Sequence, residues 1–399
     1  MRQSICTAFA IIGLTTTASA QTDYSQMISD RGLSQTETAL SALPDKTPSD
    51  MFALGGVRFL GAVEGALQSL YATQINREMA EMSGLPFLRL PLPPNPDAAP
   101  FRPELIAETY QAALADLQGS LDALDTITDA DAVAVTINTD DLWFDINANG
   151  ARDPGEGMLD SAGAQLNQGL SGDTKGPTIR FDTADAAWLS AYAHLLSGVG
   201  ETILAIDPTS AIARVTESAA AIKEISPSPK PLFFTQDDGV WIDVAAMFIH
   251  AIEGQPDPKR SRAAHAHFLG MITDNRTFWE RVATETDDKL EWIPNPRQTS
   301  ALPLEFPADI GARWRDVLAE AEAVLKGDLL IPHWRLGDGA GINLALAMQN
   351  PPEINIISII QGEGILPFAQ TGPRMSGQSL TAFSRMLGGD AALYMIVLN

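Results

Sequence analysis

Residues 145–156, DINANGARDPGE, carry oxygen-bearing side chains at a spacing that suits a metal ion. Calcium takes about six to eight oxygen ligands, and a loop of about twelve residues supplies them from alternate positions around a tight turn. Gly150 stands at the sixth position, where the chain must reverse with a positive φ that glycine adopts at little cost. The predicted ligands are Asp145, Asn147, Asn149, Ala151 through its backbone carbonyl, Asp153 and Glu156.

This segment resembles the EF-hand-type calcium loops and is similar to those of dockerins. It is more similar to the strand-led loops in the B-type repeats of staphylococcal serine-aspartate surface adhesins. Those loops read as an aromatic residue followed by Asp-x-Asn-x-Asn-Gly-x-x-Asp-x-Gly-Glu, and the chain reproduces that run from Trp143 to Glu156. The resemblance implies calcium binding. It covers residues 143–156 only, so it implies neither adhesion nor the β-sandwich fold of those repeats.

Two features separate this loop from a helix-loop-helix hand. The residues that enter it have strand character, and its eighth position is Arg152 where paired hands usually place an aliphatic residue. The chain contains no second loop of this kind. Switching hands work in pairs that move helices, so a single strand-led loop favours a structural ion. The alternative without an ion is an Asn-Gly turn surrounded by carboxylates, which are common turn formers.

Four residues are candidates for acid–base catalysis. His194 and Glu201 lie two turns apart on one face of a predicted helix, a rise of roughly 10 Å that is too long for direct contact. His333 and Arg335 precede a glycine-rich turn, but its glycines match neither the dinucleotide nor the P-loop spacing. The sequence also contains no Gly-x-Ser-x-Gly or His-Glu-x-x-His motif, so the common hydrolase signatures are absent.

The spacing of His265 and His267 argues against a metal site made of these two side chains. Residues two apart on a helix point in different directions and converge only on a strand. Because the surrounding sequence predicts a helix, we expect the two rings to diverge.

Residues 1–20 have the pattern of an export signal. Arg2 supplies the positive charge, an apolar run extends from Ile5 to Leu14, and Ala18-Ser19-Ala20 forms a small-residue cleavage site. The apolar run is shorter than the roughly 20 residues that span a bilayer, so we expect cleavage after Ala20 rather than membrane insertion. These features predict a periplasmic or secreted protein.

The amino-acid composition argues against thiol chemistry and against nucleic-acid binding. The only cysteine, Cys6, lies within the predicted signal, so the exported chain has no disulfide, cysteine nucleophile or thiolate metal site. Fifty acidic residues against 26 basic ones give a net charge of −24. Such a charge repels phosphate backbones and anionic lipid surfaces, which excludes nucleic acid as a partner.

Apolar periodicity predicts a mainly helical α+β fold with a few short strands. Residues 85–103 are rich in proline and cannot continue a helix, so we predict an extended segment that crosses the surface of the protein. The sequence leaves open whether residues 21–399 form one globular region or two lobes that this segment connects. Within the helix predicted for residues 258–284, Asp274 and Asn275 are candidates for a break. The predicted helices are 49–77, 103–124, 183–206, 241–253, 258–284 and 307–326, and the predicted strands are 132–138, 176–182, 354–360 and 392–398.

Together these patterns predict an exported, soluble calcium-binding protein with a binding or structural role. They predict calcium as a partner and do not identify a protein or small-molecule partner. The alternative is a periplasmic or secreted hydrolase of unfamiliar type with a calcium-stabilised fold, working through the four candidates above.

Overall fold

A computed structural model describes residues 22–73, 92–158, 160, 175–226, 236–302, 304–387 and 391–398. The predicted signal peptide and residues 85–91 of the proline-rich segment lie outside this range. The fold is mainly helical with a few short antiparallel strands, as predicted. The helices are α1 (Tyr24–Ser41), α2 (Pro48–Tyr71), α3 (Leu105–Leu124), α4 (Thr183–Ile206), α5 (Thr209–Ile225), α6 (Gln236–Ile252), α7 (Pro258–Val282), α8 (Ile310–Lys326), α9 (Leu344–Gln349), α10 (Ile356–Gln361), α11 (Gln378–Met386) and α12 (Ala391–Leu398). The strands are β1 (Val135–Asn138), β2 (Thr178–Phe181), β3 (Ala340–Ile342) and β4 (Ala369–Thr371).

Reciprocal side-chain caps set the starts of α2 and α4. The Thr47 hydroxyl accepts the Asp50 N–H and the Asp50 carboxylate accepts the Thr47 N–H, which satisfies two donors that the first turn of α2 leaves free. Asp182 and Asp185 form the same reciprocal pair at the start of α4.

Helix α4 is the central element of the fold. It packs against α3 on one side and α7 on the other. By length and composition α4 would also cross a membrane, but half of its apolar window is buried inside the protein. Leu189 and Ala193 belong to a core cluster shared with α1, α2 and α3, whereas Ala184 and Ala187 belong to a cluster shared with α7, α8, α11 and α12.

Two small antiparallel sheets accompany the helices. In the first, β1 pairs with β2 so that Val135 lies opposite Phe181 and Asn138 opposite Thr178. In the second, β3 pairs with β4. The predicted strands 132–138 and 176–182 are confirmed as β1 and β2. The first sheet matters for the site because the loop at 145–156 lies within the connection between its two strands.

The two predicted C-terminal strands are wrong, because both segments are helical. Residues 354–360 are apolar and rich in β-branched side chains, yet Asn355 caps the N–H of Ser358 and Gly362 ends the helix in the left-handed region. Residues 392–398 belong to α12, which buries Tyr394 and Leu398 in the second core cluster. In residues 392–398, packing in the second core cluster therefore overrides a β propensity that depends on a neighbouring strand. In α10 the side chains of Ile357 and Ile360 are exposed, so the capping residues at its two ends, rather than burial, define the helix.

The predicted break near Asp274 and Asn275 is also wrong, since α7 runs from Pro258 to Val282. Both side chains are used in contacts with other parts of the fold. The Asp274 carboxylate accepts the Ser190 hydroxyl at 2.6 Å, and the Asn275 amide donates to the Leu398 carbonyl at 2.6 Å. Asp and Asn break helices mainly by bonding their own backbone, which these contacts prevent.

Candidate metal centre

Short backbone pairing closes the ends of the candidate loop. Trp143 and Gly157 form an antiparallel bridge, and the Phe144 N–H donates to the Glu156 carbonyl at 2.8 Å. The chain therefore enters the loop in extended conformation, as the strand character of its sequence predicts. This pairing fixes the first and last ligand positions next to each other before any ion is considered.

The side chain of Trp143 anchors the entrance of the loop to α1. Its indole N–H donates to the Ile28 carbonyl at 3.0 Å, and its ring lies against Gly32. A Cβ at position 32 would lie 2.9 Å from the ring carbon Cζ2. Gly32 has φ 73° and ψ −178°, a backbone conformation that is essentially confined to glycine.

The first predicted ligand, Asp145, holds the turn of the loop through backbone amides. One carboxylate oxygen accepts the Asn149 N–H at 2.9 Å and the other accepts the Gly150 N–H at 2.8 Å. Gly150 has φ 77°, which is the positive value predicted for it. Ala148 has φ 56°, a left-handed conformation that costs roughly 1–3 kcal/mol in a non-glycine residue and that these hydrogen bonds help to hold.

The two predicted asparagine ligands face the carboxylate of Asp153. The side-chain N–H groups of Asn147 and Asn149 each donate to the same Asp153 oxygen at 2.7 Å. The oxygens of the two amides accept the backbone N–H groups of Asn149 and Ala151 at 3.0 and 2.8 Å. A half-turn of each amide would give up these bonds and place its oxygen where the N–H group now lies beside Asp153. The donor set therefore fits a hard cation, which would replace the two N–H groups beside Asp153.

The last ligand, Glu156, is buried inside the loop with 2% of its surface exposed. Its two oxygens accept the N–H groups of Ile146 and Asp153 at 2.9 and 2.7 Å. A carboxylate oxygen has more than one acceptor site, so these bonds leave capacity for an ion. The side chain is thus positioned at the closing end of the loop.

Helix α2 adds two side chains that sequence analysis missed as part of the site. The Glu64 carboxylate accepts the Asp145 N–H at 2.8 Å, and the Gln68 amide donates to the Asp145 carbonyl at 2.7 Å. Burial, followed by the charges of Asp145 and Glu156, raises the pKa of Glu64 to about 7. The available signal was a glutamate inside the apolar stripe of α2, because a buried carboxylate needs a partner.

The four catalytic candidates do not form one site. The imidazole of His194 bonds to His267, and Glu201 forms an ion pair with Arg260 at 3.0 Å. His333 bonds to the carbonyl of Ile359, while the guanidinium of Arg335 lies over the ring of Trp334. Among these described residues, no hydrogen bond or ion pair joins any two of the four candidates. The four residues named for the hydrolase alternative therefore do not meet in a common catalytic site.

His194 instead belongs to a polar group at the interface of α4 and α7. The Nδ1 atoms of His194 and His267 are 2.8 Å apart, and the Nε2 atom of His194 lies 3.7 Å from the Asp274 carboxylate. Ser190 donates its hydroxyl to that same carboxylate. In a serine nucleophile the hydroxyl bonds to the histidine base, so this order of groups differs from a hydrolytic triad. His265 points elsewhere, to the Leu325 carbonyl, as its spacing from His267 predicts.

A second group of carboxylates lies where β2 meets the segment after α7. Asp182, Glu285 and Glu291 have oxygens that all lie within 4.8 Å of one another, and this is the one such trio in the described part of the chain. Burial, followed by the charge of Asp182, raises the pKa of Glu285 to about 7. Because the unfolded chain ionises near 4.5, the folded protein holds its proton more tightly and loses stability as pH rises from 4.5 to 7.

We therefore expect Glu285→Gln to raise the free energy of unfolding at pH 8 by about 1–2 kcal/mol and to leave it nearly unchanged at pH 4. Denaturant unfolding at both pH values measures the difference. Glu280→Gln removes an equal charge from the exposed face of α7 and should show no such pH dependence. Equal effects of the two substitutions at pH 8 would contradict the repulsion among these carboxylates.

Comparison with known proteins gives no match: no family model, no curated protein and no solved structure is similar to this chain at a significant level.

Proposed function

We propose that the protein is an exported calcium-binding protein whose ion has a structural role. Residues 145–156 would hold one calcium ion through Asp145, Asn147, Asn149, the Ala151 carbonyl, Asp153 and Glu156. The ion would supply a divalent charge to a loop that carries the carboxylates of Asp145, Asp153 and Glu156.

The observation that carries this proposal is the position of Glu64 beside the loop. Only 6% of Glu64 is exposed, and among the described residues the charged groups that act on it are the carboxylates of Asp145 and Glu156. Buried carboxylates with no basic partner are costly unless a cation or a proton neutralises them. Calcium neutralises several of them at once, since it binds oxygen ligands of this type.

The contacts of the loop support a structural role for the ion. Its entrance bonds to α1 through Trp143, and its first ligand bonds to α2 through Glu64 and Gln68. An ion that orders the loop would therefore also order the junction of α1 and α2. The predicted export signal agrees with this role, because calcium sites of extracellular modules work at roughly 10⁻⁴–10⁻³ M.

Terbium luminescence tests the site directly. Terbium binds calcium sites and emits when a nearby indole transfers energy to it, and Trp143 precedes the first ligand by two residues. We expect emission on indole excitation that calcium displaces, with affinity weakened about tenfold or more in Asp145→Asn because ligand charge sets affinity.

Glu253→Gln is the matched control, since it removes one negative charge from an exposed position after α6. This control should bind terbium as the wild type does. Emission that is absent from the wild type, or equal in Asp145→Asn and the wild type, would reject residues 145–156 as the site.

A further inference from the structure

His194 and His267 bring two ring nitrogens together at the α4–α7 interface. Their Nδ1 atoms are 2.8 Å apart, with the ring planes inclined at 51°. Only one of these two nitrogens can carry a proton in such a contact, so the other presents a lone pair. Burial lowers the pKa of both imidazoles, which favours the neutral form of each ring. Neutral imidazoles are the form that binds metal ions.

The surroundings of His194 hold its ring in one orientation. Asp274 lies 3.7 Å from Nε2, on the side of the ring opposite to His267, and Ser190 fixes that carboxylate with a 2.6 Å hydrogen bond. On the facing helix, a Cβ at Gly270 would lie 2.9 Å from the ring carbon Cε1 and 3.0 Å from Nδ1. A glycine inside a helix is unfavourable, so its presence under this ring indicates that the ring needs the space.

We propose that His194 and His267 form a second metal site that binds a transition-metal ion, best represented by Zn²⁺, through their Nδ1 atoms. Two nitrogen ligands of tetrahedral zinc, each at about 2.0–2.1 Å, stand about 3.3 Å apart. A small opening of the observed 2.8 Å contact therefore admits the ion. Asp274 lies 3.7 Å from Nε2, so a small approach would let it accept a hydrogen bond there, as the carboxylate that commonly orients a metal-binding histidine does.

The partly exposed setting leaves room for water to complete the coordination. The side chains of His194 and Asp274 are 23% and 27% exposed. Imidazole selects zinc, copper or nickel over calcium, which prefers oxygen. The site is thus chemically distinct from residues 145–156, and either one can fail without the other.

The test is zinc titration of the calcium-saturated protein by calorimetry, together with thermal unfolding. We expect one zinc ion per chain and a higher Tm in the wild type, with binding lost in His194→Gln and in His267→Gln. His250→Gln is the matched control, because His250 contacts Arg214 and lies outside this interface, and it should bind zinc normally. Asp274→Asn should weaken the affinity by about 10–100-fold, as loss of an orienting carboxylate does.

Zinc binding that survives either His194→Gln or His267→Gln overturns the proposal, and so does a wild type that binds none. If a variant does not fold, an NMR measurement on the wild type alone still tests the proposal. The chain has five histidines, and substoichiometric Cu²⁺ should broaden the NMR signals of two imidazole rings before the other three. Equal broadening of all five rings means that the two neighbouring imidazoles only share a proton, which also overturns the proposal.

Discussion

Calcium at a hundredfold excess over its Kd should raise the free energy of unfolding by about 2.7 kcal/mol, and Glu156→Gln should remove most of that gain. The stabilisation arises because the ion binds the folded loop and has little affinity for the unfolded chain. Thermal or denaturant unfolding with calcium, and then with a chelator, measures the gain for each protein. Glu253→Gln should keep the full gain.

The substitution at Glu156 has a second effect that must be separated from the first. Both Glu156 oxygens accept backbone N–H groups, and an amide can satisfy only one of them well. The variant should therefore lose about 1–3 kcal/mol even with chelator present. The difference between the two calcium conditions cancels this loss. A calcium gain in Glu156→Gln equal to that of the wild type would refute the ligand assignment.

Gly32→Ala should cost about 2–5 kcal/mol of folding free energy, the largest effect that we expect from one methyl group in this protein. The backbone conformation at position 32 is strained for any residue with a Cβ, and that atom would lie 2.9 Å from the Trp143 ring. Denaturant unfolding measures the loss. Because Trp143 leads into the proposed calcium loop, the variant should also bind terbium less tightly.

Gly61→Ala is the matched control for this substitution. Gly61 lies inside α2 and a Cβ there meets nothing within 4 Å. We expect this variant to be more stable than the wild type by about 0.5–1 kcal/mol, since alanine is the better helix former. The two substitutions add the same group and should have opposite signs. Equal stability changes would show that neither the left-handed backbone nor the Trp143 contact decides the effect.

Local patterns in the sequence predict much of this fold and most of the candidate loop. The positive φ of Gly150 depends on its own turn, and β1 and β2 each appear as a short run with strand character, so both features can be predicted from the sequence. The strand predicted at 392–398 is wrong because that segment packs into the second core cluster as a helix. The strand predicted at 354–360 is wrong because Asn355 and Gly362 cap a short helix there. Their composition alone does not distinguish the two outcomes.

Contacts between distant residues account for what sequence analysis missed. Glu64 joins the loop across 81 positions of the chain, and His267 meets His194 across 73. No spacing rule connects such pairs, because helix packing decides which faces meet. The candidates His194 and Glu201 are correctly placed on one helix, but their partners lie on α7 and could not be named beforehand.

Helix α4 shares its side chains between both core clusters, so the two halves of the interior are mechanically and energetically coupled. Neither half keeps a complete apolar interior if the helix withdraws, and neither is expected to persist as an autonomous fragment. A calcium ion that stabilises the N-terminal half would therefore also make local unfolding of the C-terminal half less frequent, although none of the proposed calcium ligands lies in that half.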